Sequence, residues 1–483
     1  MKARSIVAFL IQNWLIAVIV LSATLLRVWN IESQAIFFGD AAHDMLVAED
    51  AVRQQQLPLL GISSSVPRFK QGPVTIWIEM VISAVAGHRL FVFSLVFALI
   101  SVTAVLAVYE LSAVYISRRT ALISSLILAV SPLAVAHGRM PYHITPIPLM
   151  TVLYLWTLTR LWHQKRSALF WSVLAWCLLF QFELALLPAL LLIPYVLWRT
   201  KAVPSKRHVL ESLAALGLGL LPQIVYDLTH GFTQLGGFAI WVLYRIASAL
   251  GLVGSYMVSP STLSSAASAF WLYGGRVLTL EGPEIKILWF LLLLISAIAV
   301  VRSGRLRKLP PVVEIISALT VILSLGFVIH SAPSEAYFPP FLVLLPLILG
   351  YGISQIRRQT QAGLLLLITT LSLGNIWQIW QHQFFVSNTQ VMTYGPSLTE
   401  QRQAVALIDR LSRSNFQYLT TQTGGVFPNY FDNLRWLAQE QGVEENQVDG
   451  EMFYVEGKDS SLSGYPASTK YYLPSIDIYH LSL

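Results

Sequence analysis

The sequence predicts an all-α polytopic membrane protein that ends in a small extracytoplasmic α+β domain. Composition is the first observation: 55% of the 483 residues are hydrophobic and 12% are charged, against roughly 25% charge in soluble domains, and the mean hydropathy is +0.62. Spacing is the second, because the apolar residues collect in runs able to cross about 30 Å of hydrocarbon. The third is a change of character after about residue 382, where hydropathy falls and Asp, Glu, Gln and Asn rise. A net charge of +7 would suggest a nucleic-acid partner in a soluble protein. Here the Lys and Arg residues cluster in short turns between apolar runs, as membrane orientation requires, and no nucleic-acid motif is present. Cys177 is the only cysteine, which excludes disulfides within the chain and thiolate metal clusters and reads as a small core residue.

In chain order, residues 6–29 form the first span, preceded by Lys2 and Arg4, so the N-terminus is expected in the cytoplasm and the run is expected to stay as an anchor. Later runs near 90–116, 120–137, 144–162, 168–181, 183–199, 209–226, 286–302, 311–330, 337–356 and 361–381 bring the count to about eleven transmembrane helices. Cations at Arg118-Arg119, Arg160, Lys165-Arg166, 199–207, 302–308 and Arg357-Arg358 fall on the predicted cytoplasmic side. The external loops 30–89 and 227–285 and the turns 137–143, 181–183 and 331–336 face the other way, with 73–88 an extra span or a re-entrant segment. This gives a transmembrane domain over 1–381 and a soluble external domain over 382–483. In the latter, apolar spacing predicts helices at 398–412 and 430–441 and strands at 416–421, 451–456 and 470–474.

The first external loop carries the chemistry. From Asp40 on, Met45, Leu46, Ala48, Ala51 and Val52 recur at roughly helical spacing, which predicts an interfacial helix with Asp40, His43, Asp44 and Val47 on one side. Asp40 reads equally as the helix N-cap. Other external polar groups are Arg68 and Lys70 before Gly72-Pro73, His137, Arg139, Tyr142 and His143, then Gln181-Phe182-Glu183, and His330, Glu335 and Tyr337. Arg139 reads as a snorkelling anchor or as a phosphate clamp, since guanidinium donors match phosphate oxygens. The six-residue separation of His137 and His143 across a proline turn is poor metal spacing, so no metal site is assigned. Glu79, Glu110 and Glu183 lie in or at apolar segments, where a carboxylate is costly unless it is paired or faces a cavity.

Gly39-Asp40-Ala41-Ala42-His43-Asp44 is similar to an acidic first-loop motif, and Phe69-Lys70-Gln71-Gly72-Pro73 to a His-Gly-Pro or His-Pro-Pro element. Ser131-Pro132 with Arg139 and Pro146, Glu335-Ala336-Tyr337-Phe338 through Leu345-Pro346, and Tyr394-Gly395-Pro396-Ser397 follow in the same order. On these motifs the chain resembles the GT-C glycosyltransferases, specifically bacterial members like family 39, related to dolichyl-phosphate-mannose protein mannosyltransferases and the lipid A aminoarabinose transferase. It departs in having Ala41 where the family commonly has Glu, and Glu335-Ala336 where His or Arg is usual. The resemblance implies inverting transfer of a sugar from a polyprenyl-phosphate carrier to a protein, lipid or glycan acceptor at the outer face of the cell membrane. It implies Asp40 as general base, Arg139 with Lys70 or Arg68 on the donor phosphate, and Asp44, His43, Glu183, Tyr142, His143, Tyr337 and Glu335 as substrate contacts. No cofactor is assigned, and a divalent cation stays open. A flippase for lipid-linked glycans would place polar groups at the midplane of paired repeats, and the sequence has neither. A non-catalytic scaffold would leave the Asp40 cluster without a role.

Overall fold

The structure is a computed structural model that describes residues 3–64, 66, 69–249, 252–253, 260–280, 282–302, 309–329, 334–356, 358–386, 394–412, 416–419, 431–443, 451–457 and 469–481. Arg68 and His330 lie outside the described residues.

Every run read as a span is helical, but several are broken. Helix α1 (Ala3–Val28) kinks at Asn13. The first loop, after α1, holds α2 (Ile31–Gln34) and α3 (Gly39–Gln54), and α4 (Val74–Ala86) follows Gly72-Pro73. After the long α5 (Leu90–Tyr115), the run 120–137 divides into α6 (Arg118–Ala129) and α7 (Pro132–His137). Pro132 has no N–H to continue α6, and Ser131 caps the new helix by accepting from Ala134 N at 3.3 Å. The carbonyls released from α6 are met by buried Arg27, which donates to Ala129 O at 2.9 Å and Leu128 O at 3.3 Å.

Next come α8 (Ile147–Trp162), α9 (Ala168–Phe182), a 3₁₀ segment Leu184–Leu191 containing Pro188, and α10 (Leu192–Thr200). Helices α11 (Lys206–Gly219) and α12 (Leu221–Thr229) meet at a 67° bend. Gln181 donates to the freed Gly219 carbonyl at 2.7 Å and pairs with Gln223. Residues 227–285, expected as a loop, hold α13 (Thr233–Ala249), α14 (Pro260–Ala269) and α15 (Gly275–Leu278). Asp227 starts α13 by accepting from Gln234 N at 2.8 Å and Leu235 N at 2.9 Å. The remaining helices of the bundle are α16 (Pro283–Arg302), α17 (Pro311–Ile329), α18 (Phe341–Ser354) and α19 (Arg358–Gln381). By length and composition, Leu90–Tyr115, Pro311–Val328 and Thr360–Gln381 can each cross a membrane unbroken, and the bent α11–α12 pair makes a fourth candidate.

Small residues set the closest helix contacts. A Cβ on Gly350 would lie 2.2 Å from Ser124 Oγ, and one on Gly352 would lie 2.2 Å from Ser296 Cβ, so α18 packs on α6 and α16 through bare backbone. Buried Cys177 fills the same kind of space against Gly219. Leu21, Val85, Trp198, Leu210 and Leu366 are more than half exposed, an apolar surface suited to hydrocarbon.

The C-terminal module has α20 (Leu398–Leu411), α21 (Phe431–Glu440) and strands β1 (Phe416–Leu419), β2 (Glu451–Gly457), β3 (Thr469–Tyr472) and β4 (Ile476–Leu481). The sheet order is β1-β2-β4-β3, with β1 and β2 parallel and the other pairs antiparallel. Strand β4 was absent from the sequence expectation, although Ile476 and Ile478 alternate with Asp477 and are buried. Gln401 donates to Phe37 O at 3.0 Å, and the His88 ring stacks on Trp436 at 3.6 Å, which docks the module on the first loop.

Candidate active site

Helix α3 begins at Gly39 with extended Phe38 as its N-cap, so Asp40 is not the cap and its carboxylate is left for other partners. It accepts from the Tyr142 hydroxyl at 3.4 Å. The edge contacts of Phe38 at 4.9 Å and His143 at 4.0 Å hold the Tyr142 ring. One turn along α3, Asp44 is 2% exposed. Glu183 Oε2 lies 3.7 Å from His143 Nε2 and accepts from Gln71 Nε2 at 3.1 Å, while Oε1 caps the following 3₁₀ segment through Ala185 N. Lys70 is pinned by its backbone N–H, which donates to Gln234 Oε1 at 2.8 Å. Its ammonium is exposed and has no ion pair among the described residues. His43 Nδ1 lies 3.1 Å from Asp432 Oδ2 on α21.

The electrostatics follow from this crowding. Burial raises the Asp40 carboxyl above the ordinary carboxylate range, against the pull of His143, the Tyr142 hydroxyl and His43. Asp44, more deeply buried, is pushed up to about 6, with His143, His43 and Lys70 opposing burial and Asp40 adding to it. The Asp432 hydrogen bond raises His43 above its usual range.

Three expected members stand elsewhere. The Arg139 guanidinium is fully buried, donates to Leu26 O at 3.2 Å, Arg27 O at 3.1 Å and Gln34 O at 3.1 Å, and lies 4.2 Å over the Phe384 ring. Its donors close C-terminal carbonyls of α1 and the last carbonyl of α2, which corrects the expectation of a phosphate clamp. Glu335 is also fully buried, 3.0 Å from His137 Nε2 and 3.2 Å from Arg276 Nη1, and it accepts from the Tyr394 hydroxyl. It therefore ties α7 and α15 to the chain entering α20 and has no open face for substrate. Tyr337 lines an apolar cavity of about 330 Å³ with Val66, Leu184, Phe238, Trp241 and Phe327.

Sequence reasoning missed Gln71 and Asp432. The first stands beside Lys70 in a motif already singled out, whereas nothing in the sequence pairs Asp432 with residue 43. Among the described residues, no group of three or more His, Cys, Asp or Glu side chains is placed to hold a metal ion.

Fold and site together define a helical membrane protein in which an acidic helix of the first loop packs against a docked C-terminal module. The chain is similar to ArnT from Cupriavidus metallidurans bound to undecaprenyl phosphate, with a TM-score of 0.60 and 12% identity over 99% of this chain and 98% of that one. The apo form of ArnT gives 0.59 and 11% identity, covering 98% of each chain. Archaeal oligosaccharyltransferase AglB from Archaeoglobus fulgidus, in complex with an inhibitory peptide and a dolichol-phosphate, gives 0.52 and 11% identity over 93% of this chain and 70% of its own. Likeness at such identity establishes the fold. In sequence, residues 70–226 match the family described as dolichyl-phosphate-mannose-protein mannosyltransferase. No curated protein sequence matches the chain.

Proposed function

We propose that this protein transfers a hexosyl or pentosyl group, with inversion, from a polyprenyl-phosphate carrier to a protein, lipid or glycan acceptor at the outer face of the cell membrane. One juxtaposition carries the reading. The loop that presents Lys70 has the acidic cluster on one side, through Gln71 and Glu183, and the apolar cavity on the other, through Val66. A lipid tail in that cavity would leave its phosphate at the level of the Lys70 ammonium, with the sugar directed toward Tyr142, His143 and Asp44. Asp40 takes the proton from the acceptor as it attacks the anomeric carbon. Lys70 stabilises the charge that grows on the departing phosphate. A stabilised phosphate leaves as an anion without a proton donor, so one carboxylate suffices.

The match to mannosyltransferases over 70–226 and the lipid phosphates bound to ArnT and AglB support the donor class. The test is Asp40→Asn, assayed with labelled undecaprenyl-phosphate hexoses and pentoses by release of the lipid phosphate. Transfer is expected to fall at least about 100-fold, with binding of undecaprenyl phosphate retained. Full transfer by this variant would remove Asp40 as base.

A further inference from the structure

A base that accepts a proton in each turnover must release it, and a group placed to receive it stands beside Asp40. His43 lies three residues along α3, a spacing that brings Cβ atoms to about 5–6 Å. Its Nδ1 is 3.1 Å from Asp432 Oδ2. A carboxylate on Nδ1 favours the proton there and leaves the Nε2 lone pair to accept another. The His43 side chain is 56% exposed and Asp432 15% exposed, and nothing else bonds the ring among the described residues. Asp432 lies in the first turn of α21, so the pair is formed across the junction with the C-terminal module.

We propose that His43 and Asp432 form a dyad that carries the proton from Asp40 to solvent, which makes the C-terminal module part of the active site. The inference rests on Asp40 being the base. As the acceptor oxygen bonds to the anomeric carbon, the bond from that carbon to the phosphate oxygen breaks and its electron pair leaves on phosphate. The acceptor's proton passes to the Asp40 carboxylate, then to His43 Nε2, then to water. The groups facing the ring are Asp40 and Asp44 from α3 and Asp432 from α21, and all three favour the imidazolium. Asp40 in turn faces His143 and Tyr142 from the turn after α7. A protonated ring cannot accept, so His43 sets an acid limb on turnover.

The test uses full-length protein in lipid nanodiscs and whichever undecaprenyl-phosphate hexose or pentose the wild type consumes, with lipid phosphate release followed from pH 5 to 9. Asp432→Asn keeps a hydrogen-bond partner and removes the charge, so the acid limb is expected to move down by about one pH unit. His43→Gln is expected to lower kcat about tenfold with KM for the donor unchanged. Arg402→Ala removes 3.0 Å bonds to Glu440 and to the Glu32 carbonyl on the same docked face, and its acid limb is expected to stay in place. Nitrogen NMR of the neutral His43 ring reads the dyad without substrate, and the Nδ1–H tautomer is expected. An unshifted limb in both dyad variants, or an Nε2–H ring, overturns the dyad while an inactive Asp40→Asn leaves the base standing. An active Asp40→Asn overturns both.

Discussion

At the scale of single residues, what a buried cation does depends on which acceptors its donors already meet. Arg139 serves carbonyls at the end of α1, so Arg139→Ala strands buried oxygens. It is expected to cost roughly 3 kcal/mol and to lower the melting temperature with or without lipid. Lys70→Ala removes an exposed ammonium. Its melting temperature is expected to stay while binding of undecaprenyl phosphate weakens about 10- to 100-fold, which a binding titration against the Arg139 variant separates. Asp44 gives a pH test. Its folded carboxyl titrates near 6, above the ordinary value of 3.8, so its ionisation opposes folding. The stability linked to its proton is full below the unfolded value and is lost as pH rises through about 6. Asp44→Asn is therefore expected to stabilise the protein by roughly 1–3 kcal/mol at pH 8 and little at pH 4, read from thermal melts. Asp40 and Lys70 stood out in the sequence, the first because it opens a carboxylate-rich polar segment after an apolar span and the second because cations are scarce in that set of turns. The role of Arg139 was not, because it follows from carbonyls on α1 that sequence spacing does not bring near.

Among elements, the sequence located the apolar runs and missed how they end. Ser131-Pro132 and Pro188 mark breaks that a hydropathy window averages away, and each break needs a partner from another helix to satisfy its backbone. Gln181 performs this for α11, which no local pattern near Gly219 announces. The helices in 227–285 were hidden for a related reason, since Asp227 initiates α13 and Gln234 then fixes Lys70 through space. Docking of α21 gives the test at this scale. His88 lies 2.6 Å from Glu49 Oε2 and 2.8 Å from the Trp436 carbonyl, contacts that both nitrogens make best when protonated. Burial alone would lower the His88 value, but these bonds outweigh it and raise it, while the Glu49 value is depressed. The contribution is complete only between the two unfolded values, about 4.5 and 6.5. It fades as pH rises through the raised histidine value and as pH falls through the depressed glutamate value. His88→Ala is expected to speed amide exchange in 431–440 about tenfold at pH 6, with a smaller effect at pH 9. An equal effect at both would show that ring packing on Trp436 holds the helix.

For the whole molecule, hydropathy and motif order were enough to read a helical membrane fold, because apolar runs are properties of the chain in one dimension. The apolar cavity was not readable, since Val66, Leu184, Phe238 and Gly326 come from four separate stretches and each looks like ordinary membrane packing. Gly326 offers a direct test of its use. A Cβ there meets only Pro188 Cγ, at 3.9 Å, so a larger side chain can enter the cavity without breaking α17. Gly326→Leu would displace one or two methylenes of a lipid tail, each contributing about 0.8 kcal/mol. KM for an undecaprenyl-phosphate sugar is then expected to rise roughly tenfold, while a geranyl-phosphate sugar, too short to fill the cavity, is expected to change little. Equal losses for both donors in a normally melting variant would place the tail elsewhere on the molecule. Selective loss for the long donor would tie chain-length recognition to the same loop that holds Lys70 toward the acidic cluster.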